Sequence, residues 1–119
     1  MSHPVEQVQV QVQVQDLAAF VAGLAPADAV LLDVREAWEL QTAQLDLPGA
    51  RTLHIPMATL PARLHELDRA QPVLGLCHHG ARSQQCVAFL QRQGFDAVYN
   101  VAGGIDAWSR EVDPSVPRY

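Results

Sequence analysis

The stretch GLCHHGARS, Gly75 to Ser83, sets a cysteine, two histidines, a glycine and an arginine within one short segment. A cysteine in that company can serve as a nucleophile, a metal ligand, a redox thiol or a small buried hydrophobe. Cys77 ends an apolar run, VLGLC (Val73–Cys77), and His78, His79, Gly80 and Ala81 then lead into a helix opened by Arg82 and Ser83. Backbone N–H groups in such a loop can curl round one point and form an anion nest. A helix N-terminus adds roughly half a positive charge, and thiols placed there have pKa values lowered to about 3.5–7.5, so the setting favours the nucleophilic thiolate. Gly80 lets the chain turn tightly, and Arg82 supplies a permanent charge for an anionic substrate or intermediate. An inert core cysteine has no use for such electropositive surroundings.

A metal site is not expected. Three adjacent residues do not readily present all their side chains to one tetrahedral ion, and the sequence has no second Cys/His cluster to complete a shell. Cys86 shares a helical stripe with Phe89, Leu90 and Gln93, which predicts a core thiol in preference to one that resolves an oxidised Cys77. His3, His54 and His65 lack partners nearby in sequence and are read as surface or core residues.

These groups must be positioned by a small frame. A chain of 119 residues, about half of them hydrophobic, suits one domain spanning 1–119, with the first few residues and 113–119 as extended tails. The net charge of −5 comes with no basic cluster, so neither nucleic acid nor a membrane surface is an expected partner. The opening MSHPVEQVQV lacks the basic and apolar regions of a leader, and no stretch reaches the length of a membrane span; a soluble, cytoplasmic protein is expected. Cys77 and Cys86 are too few for a disulfide framework, and reduced thiols are expected.

Strand and helix signals alternate along the chain. VQVQVQV (Val8–Val14) has strict period-two alternation, and Asp16 follows as a candidate N-cap for a helix carrying Leu17, Phe20, Val21 and Leu24. The pattern repeats as VLLDV (Val30–Val34) with EAWELQT, then RTLHI (Arg51–Ile55) with TLPARLHEL, whose Leu60, Leu64 and Leu67 share a face. VLGLC precedes a helix from about Arg82 to Gln93, and AVYNV (Ala97–Val101) precedes a last helix aligning Ile105, Trp108 and Val112. Five such units predict an α/β fold: a five-stranded, mainly parallel sheet flanked by helices on both faces. Sites in such sheets form beyond the carboxyl ends of the strands, where Cys77 falls.

LLDVREAWEL, LPGARTLHIP, LCHHGARS, GFDAVYNVAGGIDAW and VDPSVPRY, in that order and spacing, make the chain resemble the single-domain rhodaneses, a sulfurtransferase family. The resemblance implies the rhodanese fold. It also implies that Cys77 accepts a sulfane sulfur as a persulfide, that the loop of His78, His79, Gly80, Ala81 and Arg82 cradles it, and that it passes to cyanide, a thiol or a protein. The donor is a small sulfur compound, thiosulfate or a persulfide, and neither an organic cofactor nor a metal is implied. Related phosphatases and arsenate reductases have one more residue in the loop. The four residues between Cys77 and Arg82 form a ring suited to a sulfur atom and tight for a phosphoryl group.

Two departures mark this chain. Thiosulfate-using relatives resemble C-R-x-G-x-R or C-R-x-G-x-T, and His78 stands where their first arginine would; Asp46, in DLPGA, stands where many relatives have histidine. Asp33 and Arg35 match the family's D-V-R and are expected to support the site, either paired with each other or bracing Arg82. Gly103 and Gly104 match the G-G before a helix beside the loop, where they serve close backbone approach or a plain turn. Besides the enzyme, a rhodanese-like interaction module without turnover is the other class of function; the intact Cys, Gly and Arg frame favours the enzyme.

Overall fold

Side chains alternate between the two faces of a strand, and in β2 (Ala29–Asp33) and β4 (Val73–Leu76) both faces are apolar. Ala29, Leu31, Leu74 and Leu76 therefore enter one core layer, while Val30, Leu32, Val73 and Cys77 enter another. The computed structural model describes residues 10–119. β1 (Val10–Val12), β3 (Ala50–His54) and β5 (Val98–Val101) complete a five-stranded sheet in the order β1-β5-β4-β2-β3. Every pairing is parallel, as the alternating strand and helix units require.

Helices α1 (Val14–Gly23) and α4 (Gly104–Glu111) cover the first layer with Leu17, Val21, Ile105 and Trp108. Helix α3 (Ala81–Arg92) covers the second with Cys86, Val87 and Leu90. Leucines 31, 32 and 74 are wholly buried, each contributing roughly 1.5–3 kcal/mol. A short helix, α2 (Ala37–Thr42), follows β2; Glu36 and Glu39 start it with a reciprocal capping box. In this strand order the carboxyl ends of β2, β4 and β5 lie side by side, so the segments that follow them share one crevice.

Local signals misplace several boundaries. The first strand is shorter than the alternating tract: Val8 and Gln9 lie outside the described residues, and Val14 already belongs to α1. Gln13, not Asp16, holds the N-cap position; Asp16 sits in the first turn, where its charge suits the helix dipole. TLPARLHEL is not an α-helix. It forms two 3-10 segments, Met57–Thr59 and Pro61–Glu66, closed by i to i+3 hydrogen bonds such as Leu60 N–H to Met57 O and Arg63 N–H to Leu60 O. Pro61 stands at the start of the second segment, where its missing N–H costs nothing, and Leu60 and Leu67 remain buried. Val112 caps the end of α4 and is 41% exposed, outside the buried stripe of Ile105 and Trp108.

Gly75 matters to the placement of α3. A Cβ there would stand 2.9 Å from Val87 Cγ2 and 3.3 Å from Ser83 Cβ, so the bare backbone lets α3 settle against the central strand. Gly75→Ala is expected to destabilise the fold by about 1–3 kcal/mol through overpacking. The cost should shrink in a Val87→Ala background, because the two substitutions act on one contact. Urea denaturation of the four proteins in that cycle measures the coupling, and strictly additive effects would contradict the contact.

Candidate active site

Cys77 follows β4 directly, and because odd positions of that strand face α3, its side chain points at the N-terminus of that helix. The residue is only 1% exposed. The Gly80 N–H donates to Sγ at 3.0 Å, and the Ser83 hydroxyl lies 3.3 Å from the same sulfur. Gly80 is the N-cap of α3 with φ of 104°, a left-handed conformation that turns the chain back over the thiol. The Ser83 hydroxyl has one proton and a closer acceptor, Asn100 Oδ1 at 2.6 Å. Asn100 is held in turn, its amide donating to the Gly80 carbonyl at 3.1 Å and to Gln11 Oε1 at 2.9 Å. A serine so placed donates to asparagine beside a neutral thiol and can rotate to donate to a negatively charged sulfur.

The outer wall of the loop is fixed by α4. Ile105 N–H donates to the Cys77 carbonyl at 2.9 Å and Asp106 N–H to the His78 carbonyl at 3.0 Å. Such approach demands glycine at 104, which has φ of 63°: a Cβ would lie 2.5 Å from both carbonyl oxygens. Gly103, also left-handed, caps α4, and its N–H is the nearest atom to where a Gly80 Cβ would stand.

Arg82 does not project freely into the crevice. Both of its terminal nitrogens are taken by Glu39, Nη1 to Oε1 at 2.8 Å and Nη2 to Oε2 at 2.9 Å. Tyr119 donates its hydroxyl to Glu39 Oε2 at 2.8 Å and accepts from Arg35 Nη1 at 3.0 Å. Arg35 is wholly buried and grips Asp33 with Nε and Nη2, at 2.9 and 2.8 Å. Its carbonyl oxygen lies 2.6 Å from His54 Nε2. Of the two supporting roles open to Asp33 and Arg35, the geometry is therefore mutual pairing; Arg35 reaches Arg82 only through Glu39, by way of the Tyr119 hydroxyl and of the Glu39 carbonyl, to which Nη1 donates at 3.3 Å. Removing one member of such a buried pair costs about 3–5 kcal/mol.

Charge states follow these contacts. Arg82 holds the Glu39 carboxyl down to about 2 against the opposing effect of burial, with the Tyr119 hydroxyl assisting. Burial pushes the Tyr119 phenol up to about 12 and the Cys86 thiol up to about 11. Burial, and then the neighbouring His79, hold the His78 imidazole below its ordinary value. The His78 ring is stacked between two others, with centroids 3.8 Å from His79 and 3.8 Å from Tyr119. His79 is exposed, as is Ala81, which opens α3.

His78, His79 and Asp106 bring ligand atoms within 4.8 Å of one another, a grouping the sequence spacing concealed. A cation there meets competition: both Asp106 oxygens accept from guanidiniums, of Arg110 at 3.0 Å and Arg118 at 2.9 Å. Cys86 lies in the second core layer and lines a cleft of about 260 Å³ with Met57, Leu60 and Phe89. Residues 113–119, without helix or strand, fold back along α4 through Ser109, whose hydroxyl donates to the Val116 carbonyl, and through the Arg118–Asp106 pair. That return brings Tyr119 over His78.

A cysteine held between a glycine N–H and a helix N-terminus at the end of the central strand invites comparison with known proteins. The family model for the rhodanese-like domain matches residues 16–111. The chain belongs to that family. This rhodanese-like chain is 40% identical over 89 residues to a sulfurtransferase of Allochromatium vinosum, a match covering 75% of the chain and 79% of the relative. It is also 40% identical over 94 residues to the chloroplastic rhodanese-like/PpiC domain-containing protein 12 of Arabidopsis thaliana, covering 77% of this chain and only 31% of that protein. Among solved structures, a rhodanese-related protein from Thermoplasma volcanium superposes with a TM-score of 0.73 at 28% identity, covering 92% of this chain and 99% of the other. The rhodanese-like fold expected from the sequence is thus shown. Among the described residues no helix is long and apolar enough to cross a membrane.

Five site residues escaped the sequence reading: Glu39, Tyr119, Asn100, Gln11 and Ser83, which was read only as opening the helix. Asn100 carried a signal, as the polar residue inside the apolar strand AVYNV, and Glu39 was marked by the capping box. Tyr119 lay in the VDPSVPRY segment that carried the family resemblance, but nothing local pointed to its contact with the site. The Glu39 shift has a pH signature. A carboxyl held near 2 in the folded chain against an ordinary 4.5 adds stability in full above pH 4.5, and that stability is lost as pH falls toward 2. The stability difference between the native chain and Glu39→Gln should therefore narrow steadily across that window. Melting temperatures of both proteins across the pH series test it, and a constant difference would mean that the carboxylate charge is not what Arg82 stabilises.

Proposed function

We propose that this rhodanese-like chain is a sulfurtransferase or sulfur-relay protein that carries sulfane sulfur as a persulfide on Cys77. The observation that supports this reading is the pair of donors beside Sγ, the Gly80 N–H at 3.0 Å and the Ser83 hydroxyl at 3.3 Å, at the N-terminus of α3. Donors in that arrangement suit a sulfur atom that becomes or remains negatively charged. In the first half-reaction the Cys77 thiolate attacks the outer sulfur of a donor. The new S–S bond forms as the donor's own S–S bond breaks, and the electron pair leaves on the departing thiolate or, from thiosulfate, on sulfite. In the second, an acceptor thiolate, cyanide or a protein cysteine attacks the terminal sulfur of the persulfide and regenerates the Cys77 thiolate. The sulfur moves as a sulfane atom from one partner to the next, and no external oxidant, reductant, organic cofactor or metal enters the balance.

Each loop residue then has a role. Gly80 turns the backbone so that its N–H meets Sγ, and Ser83 follows the charge on sulfur by rotating between Asn100 and Cys77. His78 and His79 stack on one another next to Cys77. Gly103 and Gly104 bring α4 against the loop, and the Asp33–Arg35 pair braces Tyr119 and the Glu39 backbone, which in turn hold Arg82 in place. The short ring, with four residues between Cys77 and Arg82, and the commitment of Arg82 to Glu39 both disfavour a phosphatase, which needs its loop arginine for phosphoryl oxygens.

Intact-mass measurement after incubation with thiosulfate, and separately with a small alkyl persulfide, tests the reading. One added sulfur atom is expected on the native chain and on Cys86→Ala, and none on a folded Cys77→Ser. Sulfur retained by Cys77→Ser would remove Cys77 from the mechanism. Absence of sulfur on the native chain with either donor would leave an interaction module in its place.

A further inference from the structure

Each guanidinium around the Cys77 loop is matched to an acidic group. Arg82, the permanent cation of the Cys77 loop, gives both terminal nitrogens to Glu39, which arrives from α2. That carboxylate is not a loose surface partner: its side chain is 4% exposed, the Tyr119 hydroxyl donates to Oε2, and the Glu36 N–H faces Oε1 at 3.4 Å. Arg35 is wholly buried, with donors directed to Asp33, Tyr119 and the Glu39 carbonyl. Arg110 and Arg118 converge on Asp106. His78 lies between His79 and Tyr119 in a setting that disfavours its charge. A donor carrying two negative charges would meet the Glu39 carboxylate along with Arg82, or would have to displace it.

We propose that Glu39 sets the donor class of this site: by clamping Arg82 with both carboxylate oxygens beside the Cys77 loop, it withholds the cation a dianionic donor needs and selects persulfides of low charge. The inference rests on the reading of Cys77 as the sulfur carrier. Glu39 acts through Arg82 and is a positioning residue; Tyr119 and the α2 capping box hold its carboxylate in register with the arginine fork. A donor such as a neutral-tailed alkyl persulfide presents one charge at most and can rely on the Gly80 N–H and the Ser83 hydroxyl.

The test compares loading of Cys77 by thiosulfate and by 2-hydroxyethyl persulfide, followed by intact mass, in the native chain and in Glu39→Gln. The native chain should load faster from the persulfide. Glu39→Gln keeps the shape and hydrogen-bonding capacity of the side chain while freeing the charge of Arg82, so the thiosulfate-to-persulfide rate ratio should rise by about ten- to a hundredfold, the worth of one charge-assisted hydrogen bond. The gain should appear mainly as a lower thiosulfate KM, whereas a purely structural Glu39 would lower kcat for both donors together. An unchanged ratio in the folded variant overturns the proposal. If Glu39→Gln does not fold, the native chain decides through salt: a cation already neutralised predicts that thiosulfate loading does not fall as ionic strength rises, and a several-fold fall overturns the clamp. Absence of loading from both donors overturns the sulfur-carrier reading itself, and this inference with it.

Discussion

Two hydrogen bonds from the N-terminus of α4, Ile105 N–H to the Cys77 carbonyl and Asp106 N–H to the His78 carbonyl, are the constraint on which the site depends. A peptide whose carbonyl is drawn outward presents its N–H side inward, and the left-handed turn at Gly80 continues that rotation until its N–H meets Sγ. The bonds exist only because Gly104 has no Cβ to collide with those carbonyls. They also join the end of β4 to the end of β5, neighbouring strands whose spacing is set by the sheet ladder. The first apolar layer, through Ile105 and Trp108, anchors the helix that makes them. Core burial is thereby converted into the geometry of a loop that has no regular structure of its own.

On the opposite side of Cys77 the constraint is electrostatic. Asp33, Arg35, Tyr119, Glu39 and Arg82 form one relay of hydrogen bonds from the end of β2 to the first turn of α3. Each charged member is desolvated to some degree, so each depends on its neighbour to keep its charge acceptable, and disturbance at one end propagates by leaving a buried charge without a partner. Such a network specifies a unique arrangement more than it adds net stability. Its consequence for chemistry is that the arginine of the loop is already satisfied by groups of the protein itself.

Much of this was legible in local patterns. Five strand and helix units, the buried run ending at Cys77, the glycine turn and the helix after it are short-range signals, and the ordered segments from LLDVREAWEL onward carried the family resemblance. Errors arose where two local structures satisfy one pattern. Leucines at 60, 64 and 67 fit either a 3.0- or a 3.6-residue period over so short a stretch, and the chain takes the tighter form there. Asp16 looked like a cap because acidic residues favour both the cap and the first turn.

By itself the sequence determined the alternation of elements, the two-faced apolar strands, and the placing of Cys77 between a strand end and a helix start, because each follows from backbone preference and burial within a few residues. Only the tertiary structure decided which charges meet. Glu39 lies 43 residues from Arg82 and 80 from Tyr119, and Asn100 lies 89 from Gln11. At such separations the pairing of one polar side chain with another has no periodicity to reveal it. It is settled by strand order, which places the carboxyl ends of β2, β4 and β5 together, and by the desolvation cost that drives enclosed polar groups to pair, although His78 Nε2 stays buried there without a hydrogen-bond partner.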